Sequence, residues 1–411
     1  MVLKRGTQNP EPGTPLTIGF FTCNASPLLN GLAISIQQFA FHLRRLGHRV
    51  VIFAPRYPGH SDAEPDVYRF PSLRVPTHHQ YALPIPVAAA TIHRLIPLLG
   101  IQIVHAHHPF LVGPYAHRLA RRLGVPFVFT YHTLYEHYAH YLPVISPLAA
   151  RIGEARSYAF ANLADLVIAP TSGVRRRLLD QGVAVTVEVI PTGVEPPGPP
   201  EEPRTMLRRR LGVPESGPVL LYVGRLAREK NLELLLRSVR AALQVAPEVV
   251  LLLVGEGDEE RPLRRLAAEL DLADRVRFVG PVPHHDVGHW YQAADLFVFP
   301  SVSETQGLVV LEAMAHGLPV LAIRSVGTSD FIDDGINGAL AEESEDDFIF
   351  RLLELLRDGV KRARYAERGR ARAMKFSAEA STMRLLAAYE RLLMPGTSTA
   401  SRGLTPGLML R

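Results

Sequence analysis

Two glutamates eight residues apart, Glu304 and Glu312, are the side chains whose types and spacing most suggest chemistry. Glu304 lies in a predicted loop, and Glu312 lies in the first turns of the helix that follows. The first N–H groups of a helix have no partner within it and favour an anion. Here these donors belong to Gly307, Leu308 and Val309. Because carboxylates accept hydrogen bonds from sugar hydroxyls, this arrangement suits a ligand with phosphate in its middle and hydroxyls at both ends. A nucleotide sugar fits that description.

A strand, a loop, a helix and a second strand are predicted to position the two glutamates. The apolar runs 296–299 and 319–323 read as buried strands. Gly317 can end the intervening helix in a left-handed cap, with Pro319 just beyond it. A simpler interpretation stays open at this point. The glutamates would then be solvated acids that complement the helix dipole, and their spacing alone favours this interpretation.

Strands alternate with helices along most of the 411 residues, which predicts an α/β fold with parallel, doubly wound sheets. The first half opens as a Rossmann-like unit, although it lacks Gly-x-Gly-x-x-Gly. Its predicted strands are 16–22, 49–54, 67–70, 101–105, 126–131, 166–170 and 185–190. The predicted strands of the second half are 219–223, 249–254, 276–279, 296–299 and 320–323. Predicted helices include 32–46, 232–244, 259–270, 287–294 and 378–393.

Five prolines within residues 194–203 form a semi-rigid connector and mark the clearest boundary in the chain. We therefore predict an N-terminal domain at 1–195 and a C-terminal domain at 204–375. An amphipathic helix at about 376–394 follows the second domain.

Composition is that of a globular protein, with 47% apolar and 21% charged residues. The net charge of +5 is too small to indicate nucleic acid as a partner, but it is compatible with anionic substrates or an anionic membrane face. A single cysteine, Cys23, excludes an internal disulfide. No run of about 18 apolar residues is present, and the first fifteen residues are unlike a secretion signal. We expect a cytoplasmic protein.

The stretch 300–320 resembles the Glu-x7-Glu signature of retaining enzymes of glycosyltransferase family 4 (GT4), including the continuation Glu-Ala-Met-Ala-x-Gly-x-Pro-Val. The resemblance implies a GT-B fold, in which two Rossmann-like domains face a cleft and the last helix crosses back to the first domain. It also implies that Glu304 contacts the donor sugar, with Gln306 nearby, and that Glu312 binds the ribose.

Two cationic side chains, Arg225 and Lys230, follow the first predicted strand of the second domain. Side chains at the carboxyl edge of a parallel strand face the ligand crevice, so this pair can neutralise a departing diphosphate. An exposed basic turn is the simpler alternative. The string Val-Gly-Arg-Leu-x-x-Glu-Lys-Asn resembles the phosphate-binding segment of GT4, which favours the functional interpretation.

Three glycines are predicted to lie against the donor. Gly255 belongs to a Gly-x-Gly turn after a strand, although such turns are common. By resemblance to GT4, Gly280 lies beside the uracil or guanine, where backbone atoms would read the base. Gly31 lies in the first strand-to-helix loop, where a missing side chain lets the backbone approach a phosphate. An ordinary turn glycine is the alternative at Gly31.

His132 ends a buried strand at its carboxyl edge, where it would point into the cleft. Its segment, Tyr-His-Thr-x-Tyr-Glu-x-Tyr-x-His-Tyr, resembles the GT4 glucosyltransferases that act on diacylglycerol. The resemblance implies that His132 lies beside the donor sugar and the reaction centre. The residues implied to shape the acceptor entrance are His108, Tyr135, Glu136, Tyr138, His140 and Tyr141.

A metal site built from His105, His107, His108 and His132 ranks low, because alternate strand residues are expected to face opposite ways and GT-B catalysis needs no metal. No segment resembles the Asp-x-Asp site of metal-dependent GT-A enzymes. Cys23 and Asn24 stand where many GT4 relatives carry an acidic residue, so the acceptor role of this loop is open.

The residues and the resemblance together imply retaining transfer of a hexose from a nucleotide sugar, expected to be UDP-glucose, to a lipid, expected to be diacylglycerol. No cofactor and no nucleic-acid partner are expected. Residues 87–99 and the basic Arg118, Arg121 and Arg122 would attach the enzyme to the cytoplasmic face of an anionic membrane. A helix packed on the first sheet is an equal alternative for residues 87–99. A GT4 enzyme with another sugar or a soluble acceptor, a nucleotide-sugar epimerase, and a binding module without catalysis are the other functions considered.

Overall fold

The computed structural model describes residues 14–27, 30–60, 62, 64–75, 78–134 and 147–394. Among them, seven parallel strands form a first sheet in the order β3-β2-β1-β6-β7-β8-β9. These strands are short apolar runs, so both faces of the sheet are buried by helices. Their bounds are β1 Thr17–Phe21, β2 Arg49–Pro55, β3 Val67–Phe70, β6 Ile103–Ala106, β7 Phe127–Thr130, β8 Leu166–Ala169 and β9 Val187–Val189.

The helices of this first domain start at local sequence signals. The side chain of Asn30 accepts a hydrogen bond from Ala33 N, and Thr171 Oγ1 accepts one from Val174 N, which satisfies free donors of two helix starts. The helices described in this half are α1 Gly31–Arg45, α2 Ala90–Leu95, α3 Val112–Leu123, α4 Pro147–Ala161 and α5 Ser172–Asp180.

A second parallel sheet contains six of the described strands, in the order β12-β11-β10-β13-β14-β15. Its strands are β10 Val219–Val223, β11 Val250–Val254, β12 Val276–Gly280, β13 Leu296–Phe299, β14 Val320–Ile323 and β15 Ala339–Ala341. The helices of this second domain are α6 Arg204–Arg210, α7 Leu232–Ala242, α8 Glu260–Glu269, α9 Val287–Ala293, α10 Leu308–Ala315, α11 Glu345–Arg357 and α12 Gly359–Ala373. The prediction of two Rossmann-like domains is confirmed.

The last described helix, α13 Ala378–Leu393, returns to the first domain. Leu385 and Tyr389 are buried in the same apolar cluster as Ile18 of β1 and Ile36 of α1. Burial of this amphipathic stripe is what holds the helix there, and it confirms that the C-terminal helix crosses back.

The two chain crossings between the domains are bonded to each other. Val194 N donates to Phe376 O at 2.9 Å, and Ala378 N donates to Val194 O at 3.0 Å. A Cβ on Gly193 would lie 2.4 Å from the Cα of Ala378, so only glycine allows this approach. Val194 is 1% exposed. The Pro-rich connector therefore begins at Val194, a buried residue whose backbone N–H and C=O are both hydrogen-bonded.

The stretch 87–99 is not one amphipathic helix. A 3-10 turn, Pro86–Ala88, precedes α2, and a second one, Ile96–Leu98, contains Pro97. Ile92, Ile96 and Leu99 lie in the core of the first domain. Some of the side chains predicted to face a membrane are therefore buried, because they cover the sheet of the first domain. Val87 and Leu98, in contrast, are 73% and 79% exposed.

A β-hairpin of β4 Ser72–Val75 and β5 His78–Pro84 was not predicted. Helices α3, α4 and α5 lie between strands, as predicted, but no bounds were given for them; helices α6, α11 and α12 and strand β15 were missed. Several of these segments are rich in arginine and glutamate or are only three residues long, so their hydrophobic periodicity is weak.

Candidate active site

The carboxyl edges of the two sheets meet through the loop between β13 and α10. Thr305 Oγ1 donates to the carbonyl of His132, just after β7, at 2.9 Å. Thr171, just after β8, donates through Oγ1 to Thr305 O at 3.0 Å. Ser172 Oγ donates to Asp330 Oδ1 at 2.7 Å. These contacts place Glu304 at the boundary between the domains.

Glu304 is paired with Lys230 of the second domain. The Lys230 ammonium donates to Glu304 Oε1, and Ser301 Oγ donates to the same oxygen at 2.9 Å. Burial acts to raise the pKa of Glu304, but the charge and hydrogen bond of Lys230, with Ser301 and Arg225, together outweigh it, so the net pKa is lowered. Glu304 is therefore held as a carboxylate, although it is largely shielded from water.

A tight turn after β10 brings Arg225 into the same group. Gly224 has φ +150°, and Tyr222 Oη donates to Arg225 O at 3.0 Å, which fixes the turn. Arg225 also contributes to lowering the pKa of Glu304, so its charge acts on that carboxylate. Its guanidinium donates to Glu229 at 2.7 Å. A guanidinium has five N–H donors and an ammonium three, and these are the groups with which Arg and Lys bind phosphate oxygens.

Glu312 lies in the second turn of α10 and is held by two side chains. Tyr291 Oη donates to Oε2 at 2.9 Å, and His284 Nε2 lies 3.1 Å from Oε1. Gly307 caps the start of α10 with φ +67°, and its carbonyl accepts from Val310 N. The predicted anion donors of Gly307, Leu308 and Val309 precede that bond, in the first turn of the helix.

Three glycine turns of the second domain adjoin one another. Gly255 N donates to Gly280 O at 2.9 Å, and both glycines have positive φ. A Cβ on Gly255 would lie 2.0 Å from Gly224 O, so close packing of the turns already requires glycine there. At Gly31, in contrast, a Cβ would meet none of the described residues within 4 Å, so packing among them does not require glycine there.

His132 lies against the buried His105 and His107, a grouping that the sequence suggested only as a low-ranked metal site. His107 Nδ1 lies 3.0 Å from His132 Nε2. His105 Nδ1 bonds to Tyr389 Oη of α13 at 2.6 Å, and His105 Nε2 bonds to Thr130 Oγ1 at 2.7 Å. Burial lowers the pKa of His132 to about 3, and it also lowers those of His105 and His107, so all three rings are neutral.

The predicted orientation of these histidines is wrong. The ring centroids of His105 and His107 lie 4.2 Å apart, because positions i and i+2 of an extended chain face the same side. The ring of His107 contacts that of His132. Within the described part of the chain, no group of three or more His, Cys, Asp or Glu side chains is arranged to hold a metal ion.

The Gln306 side chain is not directed at a donor sugar. Its Oε1 accepts from Thr192 N at 2.9 Å, and its Nε2 donates to Thr192 O at 2.6 Å. Gln306 is 7% exposed. Its amide therefore pairs with the backbone of the first domain, which the sequence could not show because the partner is 114 residues away.

The acceptor residues are described only in part. His108 is partly exposed, and its Nδ1 accepts from Phe110 N at 3.2 Å. Burial lowers the pKa of His108. The other predicted acceptor residues, Tyr135, Glu136, Tyr138, His140 and Tyr141, lie outside the described residues. The described helices include none that is long and apolar enough to cross a membrane.

Two parallel-sheet domains, with paired acids and cations where their carboxyl edges meet, define a glycosyltransferase of the GT-B class. Solved structures agree on the fold. A sucrose-phosphate synthase from Thermosynechococcus elongatus matches with a TM-score of 0.77 and 24% identity, over 92% of this chain and 99% of that one. Anabaena HepE in complex with UDP and glucose matches with a TM-score of 0.73 and 22% identity, over 92% and 100%.

Sequence comparisons give the family. The family described as "Glycosyl transferases group 1" matches residues 203–372, and "Glycosyltransferase Family 4" matches residues 29–196. An alpha-monoglucosyldiacylglycerol synthase of Streptococcus pneumoniae is 31% identical, over 83% of this chain and 78% of the relative. A D-inositol 3-phosphate glycosyltransferase of Frankia alni is 32% identical, over 94% and 97%. A GDP-mannose-dependent alpha-mannosyltransferase of Mycobacterium tuberculosis is 31% identical, over 91% and 96%. The chain belongs to glycosyltransferase family 4.

Proposed function

We propose that this enzyme transfers glucose from UDP-glucose to a diacylglycerol lipid, with retention at the anomeric carbon. The proposed nucleotide-sugar donor rests on one observation, the pairing of Glu304 with Lys230 beside Arg225, near the start of α10. The acceptor half rests on the similarity to the diacylglycerol-acting relative and on the segment that follows His132. We propose no cofactor.

In the proposed reaction, the bond between the anomeric carbon and the diphosphate oxygen breaks as the acceptor oxygen bonds to the same face of the sugar. The departing diphosphate takes the acceptor proton, so no protein nucleophile is needed. Arg225, Lys230 and the first N–H groups of α10 stabilise the developing negative charge. Glu304 would orient the sugar hydroxyls, and neutral His132 would contact the sugar from the first domain. Glu312 would accept hydrogen bonds from the ribose.

Product analysis tests the proposal directly. The enzyme is incubated with a panel of nucleotide sugars and a total lipid extract, and products are identified by mass. A hexosyl-diacylglycerol formed only with UDP-glucose is the expected result. An epimerised free nucleotide sugar would instead support an epimerase. Absence of both lipid transfer and donor hydrolysis would support a binding module without catalysis.

The role of Arg225 has its own test. Arg225→Ala is expected to lower kcat by about 100-fold, with a smaller change in KM, because its charge is needed most when the diphosphate departs. Equal losses in kcat and in affinity would mean that Arg225 only binds substrate. Arg209→Ala is a matched control, since Arg209 forms an exposed ion pair with Glu215.

A soluble acceptor is the second candidate function. The D-inositol 3-phosphate glycosyltransferase of Frankia alni is as similar in identity as the diacylglycerol-acting relative, and it matches over more of the chain. Adding D-inositol 3-phosphate to the same assay in a separate reaction discriminates the two. Transfer to this acceptor without any lipid product would replace the lipid proposal.

We also propose that the first domain attaches to anionic membrane. Val87 and Leu98 are exposed beside the partly buried stretch that contains α2. The ring of His93 in α2 stacks on Tyr115 of α3, with centroids 5.5 Å apart, so the two helices adjoin. Their exposed basic residues are Arg94, Arg118, Arg121 and Arg122. Basic residues near the headgroups each add about 1 kcal/mol of attraction to an anionic surface.

Vesicle flotation tests this attachment. The wild-type protein should float with vesicles that contain phosphatidylglycerol more than with pure phosphatidylcholine, and Arg121→Gln with Arg122→Gln should reduce the difference. A double variant of Arg364 and Arg368, which are exposed on α12, is the control for lost positive charge. Equal binding to neutral and anionic vesicles would remove the proposal.

A further inference from the structure

The carboxylate of Glu312 is held between a phenol and an imidazole. Tyr291 is buried, with its hydroxyl 2.9 Å from Oε2, and it belongs to α9. His284 lies in the turn before α9, with Nε2 3.1 Å from Oε1. Each carboxylate oxygen accepts about two hydrogen bonds, so both oxygens retain a free lone pair for ribose hydroxyls. The two side chains thus orient the Glu312 carboxylate and leave each of its oxygens able to accept another hydrogen bond.

The position of His284 connects two parts of the donor site. It follows Gly280, the position proposed beside the base, by four residues, and its ring contacts the carboxylate proposed to bind the ribose. The side chain of His284 is 42% exposed and that of Glu312 13% exposed, so the imidazole lies on the open side of the carboxylate. A ligand at Glu312 would approach from this side.

We propose that His284 is a positioning residue of the ribose subsite, and that the charge of its ring makes affinity for a nucleoside diphosphate depend on pH. This inference rests on the proposed function, in which Glu312 binds the ribose. A bare carboxylate beside a diphosphate repels it, and an imidazolium at 3.1 Å offsets that repulsion. When the ring loses its proton, the neutral N–H still donates to Glu312, but the compensating charge is gone.

The surroundings of His284 support this behaviour. The hydrogen bond to Glu312 raises the pKa of His284, and burial acts against it. The net pKa lies above the ordinary histidine value of about 6.5. Other titratable groups near the pair are His285 and Asp286 in the same turn. From the neighbouring helices come His289 and Tyr291 on α9, and His316, which caps the end of α10. Burial lowers the pKa of His316, so this ring is less charged at a given pH than a free imidazole.

The sign of the pH effect follows from these contacts. Below the pKa of His284 the ring is charged and nucleotide affinity is highest; affinity falls as pH rises through that pKa. Glutamine at this position keeps a side-chain N–H donor for Glu312 but carries no charge at any pH. The variant His284→Gln should therefore bind like wild type at high pH and more weakly at low pH.

The experiment measures UDP affinity by calorimetry at pH 6.0 and pH 8.5 for the full chain. The dissociation constant of His284→Gln divided by that of wild type should be close to 1 at pH 8.5 and about two- to fivefold at pH 6.0. The phosphate of UDP titrates equally for both proteins, so its effect cancels in the ratio. His285→Gln is the matched control, since the His285 side chain is 80% exposed and pairs with Asp286; its ratio should stay near 1.

Two outcomes separate this inference from the function on which it depends. Glu312→Gln should weaken UDP binding at both pH values; if it does not, the proposed ribose site is wrong, and the inference falls with it. If Glu312→Gln weakens binding while the His284→Gln ratio is the same at both pH values, the role of Glu312 stands and only the inference about His284 is overturned.

Discussion

Replacing Lys230 with alanine would leave Glu304 without its cation in a place where water solvates it poorly. Lys230 is 8% exposed, and its ammonium donates to Glu304 Oε1. Burial on its own raises the pKa of Glu304, whereas Lys230 lowers it. The variant is therefore expected to raise this pKa and to destabilise the ligand-free enzyme at neutral pH.

The loss at pH 7 is expected to be about 3 kcal/mol. Removing one partner of a buried ion pair costs about 3–5 kcal/mol, and the lower end applies because the Glu304 side chain is 18% exposed. For a domain of 150 to 250 residues each kcal/mol lowers Tm by about 2–4 °C, which gives a decrease of about 6–12 °C.

A second lysine gives a matched control. Lys361 pairs with Glu354, whose side chain is 42% exposed. Exposed pairs contribute about 0–1 kcal/mol, so Lys361→Ala should cost much less than Lys230→Ala. Urea unfolding of the ligand-free proteins measures both losses. Equal costs for the two variants would refute the interpretation of Lys230 as the partner of a shielded carboxylate.

The pH dependence adds an independent check. A carboxyl group whose folded pKa is lowered stabilises the fold above its unfolded pKa of about 4.3, and this contribution disappears as pH falls through the folded pKa. In Lys230→Ala the raised pKa lets Glu304 take up a proton between pH 7 and about 4.3, which relieves the penalty in the variant, so the difference from wild type should begin to shrink in this range. It should shrink further below about 4.3, where wild type loses its own contribution. Adding Glu304→Gln to Lys230→Ala removes both charges, and the double variant should recover part of the lost stability. A double variant no more stable than Lys230→Ala would contradict the coupling.

Three further perturbations follow from buried contacts. Gly193→Ala should cost about 1–3 kcal/mol, because its Cβ would lie 2.4 Å from Ala378 Cα, while Gly198→Ala, which meets nothing within 4 Å, should cost little in urea unfolding. Tyr389→Phe should cost about 1–3 kcal/mol in the same measurement, since a buried nitrogen of His105 loses its partner at 2.6 Å. Acidification from pH 7 to 5.5 should lower the unfolding free energy by about 1 kcal/mol for each neutral buried histidine, because the unfolded ring binds a proton below about 6.5 and the folded ring does not. These histidines are His105, His107 and His132. A flat profile over this range, after correction for other groups, would contradict their neutral burial.

Much of the fold could be predicted because its signals are local. Strands 219–223, 296–299 and 320–323 and helix 378–393 have the predicted bounds. Apolar runs of four or five residues between turn residues identify buried parallel strands, and Gly317 has the predicted left-handed conformation, with φ +71°. The 87–99 stretch was interpreted less well, because apolar residues at helical spacing do not reveal whether a sheet or a lipid surface covers them.

Residues of the candidate site could be predicted only where the local secondary structure of a motif is enough to place them. A strand end, a glycine turn and a helix start place Arg225, Lys230 and Glu304 near one sheet edge from sequence alone. The partners of these groups depend on longer-range packing. Gln306 satisfies the backbone of Thr192, and His107 lies against His132. Neither contact has a local pattern that sequence reasoning could use.

The sequence by itself determined two parallel-sheet domains and the spacing of the acids and cations, because hydrophobic periodicity, caps and turn residues act within a few positions. The tertiary structure decided which charges and imidazoles meet. Lys230 and Glu304 are 74 positions apart, and His105 and Tyr389 are 284 apart. Burial then sets the pKa values of these groups, because desolvation depends on everything packed around a side chain and not on its neighbours in the chain.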